Sequence, residues 1–328
     1  MSTLNQADSA EIPVPAPEVK KADTALAEAV ATILNEPASS VSPPLLHKPE
    51  KRPPRPGEDF QFDENMARRL VRWIEPILKV YFRSQVRGVE NFPPGQTMVV
   101  ANHDGGMLPL DGLILGAAWH RHFNYSRPLA VMVHDMVMRL VPGIHRIGGV
   151  LADRPHLDAV LDAGHSVMIY PGGSRETFRS FFERKLVTLG NRTGFIKHAL
   201  HRKLPITPVV SVGGHETLFV LWRGGWLAER LGITRRFRAD VFPIVAGLPF
   251  GIWLGALMPH LPLPAKITVQ VLAPINIVAA AEQFLGRPFT DDDLDDPAVL
   301  QACFRIVQTT MQDALTALYA ERKYPILG

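Results

Sequence analysis

From about residue 63 onward, short apolar runs rich in β-branched residues alternate with stretches whose apolar positions recur every three or four residues. The first kind predicts strands at Gln85–Val89, Thr97–Ala101, Leu129–Val133, Gly149–Ala152, Val167–Tyr170, Ile206–Val212 and Ile267–Val271. The second predicts helices at Leu110–Trp119, Leu157–Asp162, Asn191–Leu200 and Leu300–Glu321. Strand and helix in turn imply an α/β domain: a largely parallel mixed sheet flanked by helices, the last of them amphipathic and laid over one sheet face.

Two segments stand apart from this rhythm. Asp63 to Phe82 carries an apolar set, Met66, Leu70, Trp73, Ile74, Ile77, Leu78 and Tyr81, with Arg68, Arg69 and Arg72 towards the other face. It reads either as a surface helix packed on the domain or as a helix lying in a membrane surface, with Trp73 and Tyr81 at the lipid boundary. Val241 to Ala265 contains no Asp, Glu, Lys or Arg, but Pro243, Pro249, Pro259, Pro262 and Pro264 interrupt it. An apolar hairpin or interfacial segment is expected there rather than a straight spanning helix. The acidic run Asp291–Asp296 reads as a solvated turn before the last helix. Residues 1–57, rich in Ala, Pro, Glu, Ser and Lys, read as a disordered tail, leaving 58–328 as the domain.

Composition narrows the class. The 328 residues, 46% of them apolar, are enough for a substantial core. A net charge of +3 and a pI near 9.0 favour an anionic surface only weakly. No aromatic-interleaved basic patch is present, so nucleic acid is not expected as a partner. Cys303 is the single cysteine, which excludes an intramolecular disulfide and a Cys-rich zinc site and agrees with a reducing compartment. The N-terminus lacks the basic-then-apolar order of a secretory signal.

Candidate chemistry sits at two strand ends. Met98-Val99-Val100-Ala101 runs into Asn102-His103-Asp104-Gly105-Gly106, with Asp111 following. A histidine at the rim of a sheet is suited to moving a proton near neutral pH, and an acidic neighbour orients the ring and stabilises its cation. Ser166-Val167-Met168-Ile169 runs into Tyr170-Pro171-Gly172-Gly173-Ser174-Arg175-Glu176. Backbone N–H groups beside a fixed cation suit an oxyanion or a phosphate. Two such corners point to one active site between them.

At these residues the chain resembles the glycerolipid acyltransferase family, typified by lysophosphatidic acid acyltransferases. Four ordered blocks carry the resemblance. Asn102-His103 with Asp111 is similar to N-H-x-x-x-x-D, and Gly148 to Arg154 to G-x-I-F-I-D-R. Tyr170 to Glu176 is similar to F-P-E-G-T-R-S, and Pro205 to Val210 to an apolar V-P-V segment. Two departures stand out. Asp111 lies eight residues after His103 where the family has five, which leaves Asp104 as a competing partner. Gly172 stands where the family has Glu, a P-G-G-x-R-E form closer to the diacylglycerol, wax-ester and phytyl-ester branch, whose acceptors are neutral lipid alcohols.

The resemblance implies acyl transfer from a thioester to a lipid hydroxyl. His103 would be the general base and Asp111 its orienting acid. The turn at Gly172 and Gly173 would serve the oxyanion. Arg154, Ser174 and Arg175 would line the substrate site, and Glu176 would orient Arg175. The 241–265 stretch would admit acyl chains from the bilayer. No resident cofactor is implied, acyl-CoA or acyl carrier protein being the co-substrate. Membrane lipids are the expected partners, with the protein peripheral or monotopic on the cytoplasmic face. Two rivals remain open: an ester hydrolase using Ser174, and a lipid-binding protein without catalysis. A metal site is not expected, because His120, His122, His134, His198 and His201 form no H-E-x-x-H.

Overall fold

The computed structural model of the chain describes residues 60–103, 106, 108–233, 240–255 and 260–324. The stretch 1–57 read as a disordered tail lies outside them, as does Asp104. A seven-stranded sheet forms the centre. Numbered along the chain, its strands are β1 (Gln85–Arg87), β2 (Met98–Ala101), β3 (Leu129–Val133), β4 (Gly149–Leu151), β5 (Ser166–Ile169), β6 (Ile206–Val212) and β10 (Thr268–Val271). Their spatial order is β1-β10-β6-β2-β5-β3-β4. The strands from β6 to β4 are mutually parallel; β10 runs antiparallel to β6, and β1 follows β10. β2, β5 and β6 are buried throughout, which explains their continuous apolar runs.

Helices cover both faces. On one side lie α4 (Arg154–Asp162), α6 (Gly194–His201), α8 (Ile277–Leu285) and α9 (Pro297–Glu321), the last contributing Phe304, Val307, Met311 and Leu315 to the core. On the other lie α1 (Glu64–Pro76), the π-turn Ile77–Tyr81 that continues it, and α2 (Leu110–His122). The acidic run before α9 is a 3₁₀ turn, Asp291–Asp295, and is only partly solvated: Asp293 is buried on Arg287.

One expectation changes, and the apolar hairpin expected within 241–265 is present. The face α1 buries is set by Ala67, Val71 and Leu78, whereas Trp73 and Ile77 are 79% and 57% exposed. The expected apolar set was too broad for one face, and its outer members stay in solvent. The proline-broken apolar stretch is a hairpin, β8 (Ile244–Gly247) and β9 (Gly251–Leu254). It joins β7 (Phe219–Trp222) in a second, antiparallel sheet. Among the described residues no helix is long and apolar enough to cross a membrane.

Candidate active site

β2 is flanked by β5 and β6, in register at Val100 with Ile169 and Pro208. Its carboxyl end is therefore the middle of the sheet's rim, where a parallel strand delivers its following residue outward. Asn102 pins that end. Buried at 1% exposure, it accepts from the Ser211 N–H at 2.8 Å and donates to the Ser211 carbonyl at 3.1 Å. His103 comes next, its ring stacked on Tyr170 from the end of β5 at a 4.2 Å centroid distance.

Between His103 and Asp111, Gly106 sits at φ +77°, and its N–H donates to the Thr177 carbonyl at 3.2 Å. A side chain there would run into Leu218. Asp111, in the first turn of α2 and buried, places Oδ2 3.6 Å from His103 Nδ1. That is an ion-pair distance, longer than a hydrogen bond, as is common before substrate closes a site. The His103 side chain keeps 18% of its surface, so part of the imidazole remains reachable.

The second corner lies alongside but is built differently. Gly172 opens a short helix, α5 (Gly173–Thr177). The Gly173 N–H donates to the Tyr170 carbonyl at 3.1 Å, so that amide is committed to the turn and not to an oxyanion. Arg192, which no motif singled out, rests on this turn, donating to the Pro171 carbonyl at 3.3 Å. Ser174 is half-buried, and its hydroxyl has no histidine partner among the described residues. Arg175 is exposed and pairs with Asp240 at 3.4 Å. Glu176 does not orient it: α5 turns that side chain inward, where it is fully buried and meets Arg179. Arg154, expected with these residues, is exposed at the start of α4, beyond β4 at the sheet edge, and its charge is felt at His198. The structure does not bring it to His103.

Beneath the two corners lies a buried polar cluster with no sequence signature. Glu176 accepts from the Thr188 N–H at 3.2 Å and from Arg179 at 3.4 Å. Arg179, 1% exposed, also donates to His215 Nε2 at 3.1 Å, while Arg184 pairs with buried Glu216 at 3.4 Å. The cluster lies against the backbone of His103, whose peptide groups act electrostatically on both Glu176 and His215. Because Arg179 donates to Nε2, His215 carries its proton on Nδ1. Burial pushes the Glu176 carboxyl up to about 7 against the pull of Arg179, and burial followed by the Arg179 charge holds the His215 imidazole well below its usual range. Gly172 completes the cluster: a Cβ there would lie 2.3 Å from Glu176 Oε2 and 2.4 Å from the Thr188 carbonyl. The space that a side chain at position 172 would enter is filled by the carboxylate from position 176.

The α/β fold thus places a histidine and a carboxylate together at the end of its central strand, beside a glycine turn. The profile of the family described as Acyltransferase matches residues 83–212, a span that holds all four sequence blocks. The uncharacterized protein ML2427 of Mycobacterium leprae is 30% identical over 276 residues, covering 83% of this chain and 70% of that protein. A mouse protein, the DGAT1/2-independent enzyme synthesizing storage lipids, is 29% identical over 205 residues, covering 59% of this chain and 57% of its own length. The crystal structure of the 1-acyl-sn-glycerophosphate (LPA) acyltransferase PlsC from Thermotoga maritima superposes with a TM-score of 0.44 at 16% identity, over 79% of this chain and 84% of that one. The chain belongs to the glycerolipid acyltransferase family.

Proposed function

We propose that the protein transfers a fatty acyl group from a thioester, acyl-CoA or acyl carrier protein, to the hydroxyl of a glycerolipid or other lipid alcohol. His103 acts as general base. As the acceptor oxygen attacks the thioester carbonyl, the imidazole takes its proton, and Asp111 holds the tautomer and stabilises the cation. The tetrahedral intermediate then collapses, the C–S bond breaks, and the imidazolium returns the proton to the leaving thiolate. The acceptor supplies the hydroxyl, so no protein nucleophile is required. The reading carries with it a peripheral or monotopic station on the cytoplasmic face of a membrane. A neutral acceptor is favoured because Arg154 stands away at the sheet edge and Arg175 is paired with Asp240.

The observation that carries this reading is the 3.6 Å approach of His103 and Asp111 across an eight-residue separation. The test is turnover of labelled acyl-CoA, and of acyl carrier protein thioester, with a membrane lipid extract, the product identified by mass. His103→Ala should lose roughly 10²–10⁴-fold of the rate. Ser174→Ala should stay within about threefold of the parent, since its hydroxyl has no base to activate it. Undiminished transfer by His103→Ala overturns the general-base assignment, absence of transfer by the parent favours a lipid-binding role, and loss of transfer in Ser174→Ala favours a hydrolytic one.

A further inference from the structure

The second sheet packs its Val220, Val245 and Trp253 with Phe178, Leu218 and Val241, while the outer side chains of β9 and of the turn before it are exposed. β9 is an edge strand, with Ile252 and Leu254 at 69% and 45% exposure, and the turn before it carries Leu248 and Phe250, each half exposed. An exposed apolar edge invites aggregation unless something covers it. The apolar surface does not end there. Leu261, itself exposed, donates its N–H to the Leu248 carbonyl at 2.9 Å, and the next residue, Pro262, accepts from the Tyr81 hydroxyl at 2.7 Å. Tyr81 closes the π-turn, whose Ile77 and Val80 are exposed, and Trp73 lies one turn earlier. The hairpin and the end of the first helix are thus tied by hydrogen bonds into one ridge.

Charge says what the ridge meets. Val241 to Ala265 holds no Asp, Glu, Lys or Arg, whereas the helix face continuing from Trp73 carries exposed Arg69 and Arg72, which have no ion-pair partner among the described residues. A protein partner requires hydrogen-bonding groups across a contact of this extent. A bilayer requires apolar side chains in the acyl region, an indole at the boundary and cations at the head groups, and that is the order along this face. We infer that the ridge seats the protein on a lipid bilayer bearing anionic head groups, with Phe250, Ile252 and Trp73 entering the interface and Arg69 and Arg72 on the head groups.

The position of the ridge gives this contact a use, a step that rests on the acyl-transfer reading. Leu218 packs beneath both Gly247, where β8 enters the hairpin turn, and Gly106, between His103 and Asp111. One side chain therefore separates the lipid contact from the loop where an acceptor hydroxyl must arrive.

Sedimentation of the full chain with vesicles tests the inference, using phosphatidylcholine alone and with about 30% phosphatidylglycerol. Binding is expected to the mixed vesicles and to weaken with salt. Phe250→Asp with Ile252→Asp should lower partitioning at least about tenfold. Arg69→Ala with Arg72→Ala should abolish the preference for the anionic lipid. Thermal melts of each variant confirm folding. His103→Ala should bind as the parent does, so a failure of the general-base assignment and a failure of docking are separate results. The inference is overturned if the hairpin variant sediments like the parent, or if the parent binds neither vesicle. It is also overturned if the parent is a dimer that the hairpin variant dissociates, which would give the ridge to a second copy.

Discussion

The corners at the ends of β2 and β5 are adjacent in the sheet and both follow buried apolar strands, yet they do different work. The β2 corner presents a partly exposed imidazole and its carboxylate at 3.6 Å. The β5 corner turns its only carboxylate inward, leaving Arg175 in solvent and Glu176 at 0% exposure. On the proposed reading, the first corner holds the groups that meet substrate. The other supplies Glu176 and Arg179, which with His215 form the buried polar support against the backbone of the first. A motif read along the chain treats the two alike, because both are glycine turns with polar residues. The direction in which a short helix rotates its fourth residue separates them.

The comparison breaks most visibly at Asp111. Asp111→Asn keeps the shape and removes the charge that stabilises imidazolium, so the rate should fall by about 10² or more, with acceptor KM little changed. A fall of the same size at Arg175→Ala would contradict the division, since that side chain pairs with Asp240 and not with His103.

Next comes the scaffold, which the structure marks by pH. Glu176 has a folded pKa near 7, above its ordinary 4.5. Between those values the folded state holds a proton that the unfolded state has released, so this group withdraws stability as pH rises from about 4.5 to about 7 and adds no further slope above that. The whole effect is at most roughly 3 kcal/mol. His215 has the opposite sign: its depressed pKa keeps it neutral while the unfolded imidazole protonates, so stability falls as pH drops below the ordinary histidine value of 6.5. In the parent the two slopes oppose one another below that pH. Glu176→Gln removes the first and leaves the second. Denaturant midpoints from pH 5 to pH 7 should therefore rise more steeply in the variant than in the parent. Parallel curves would mean that Glu176 is ionised throughout, as a surface carboxylate is.

Much of this architecture was legible in the residues. β3 and β6 match the expected Leu129–Val133 and Ile206–Val212 end for end, because they are short, largely apolar runs with β-branched residues in a sheet covered on both faces. α9 begins at Pro297, three residues before the expected start, since Asp296 caps it and proline suits the first turn. The hairpin β8–β9 lies inside the stretch where an apolar hairpin or interfacial segment was expected, but its strands were not placed. Its two four-residue strands alternate too briefly to stand out, and β7 lies across a separation of some twenty residues. The candidate site divides the same way. His103 and Asp111 carry a spacing signal, distorted by the Gly turn yet still readable. Arg179, His215 and Glu216 carry none, because what unites them is burial around one backbone segment, and two separate chain segments supply them. Glu176 was noticed for the wrong neighbour: sequence adjacency suggested Arg175, while helix geometry pairs residues three apart and gives Arg179.

The smallest and sharpest test lies in the two glycines, which sequence treats as one turn. Gly173 sits at φ +56°, and an added Cβ would come 3.0 Å from Arg192 Nη1, the far end of a flexible side chain. Gly173→Ala should cost roughly 1 kcal/mol, the left-handed penalty, with the arginine moving aside. Gly172 sits at φ −65°, which any residue adopts, so its substitution carries no backbone strain. The obstacle there is steric and unyielding: Glu176 Oε2 at 2.3 Å and a backbone carbonyl at 2.4 Å. Gly172→Ala should therefore cost more than Gly173→Ala, about 1–3 kcal/mol by denaturant unfolding, although its dihedral angles are the ordinary ones. The same geometry makes a carboxylate at 172 and one at 176 mutually exclusive. Gly172→Glu should be tolerated better together with Glu176→Ala than alone, with a coupling of about 1 kcal/mol or more in the double-mutant cycle. Additive costs would show that the two positions do not contend for one space, and the β5 corner would then be a turn like any other.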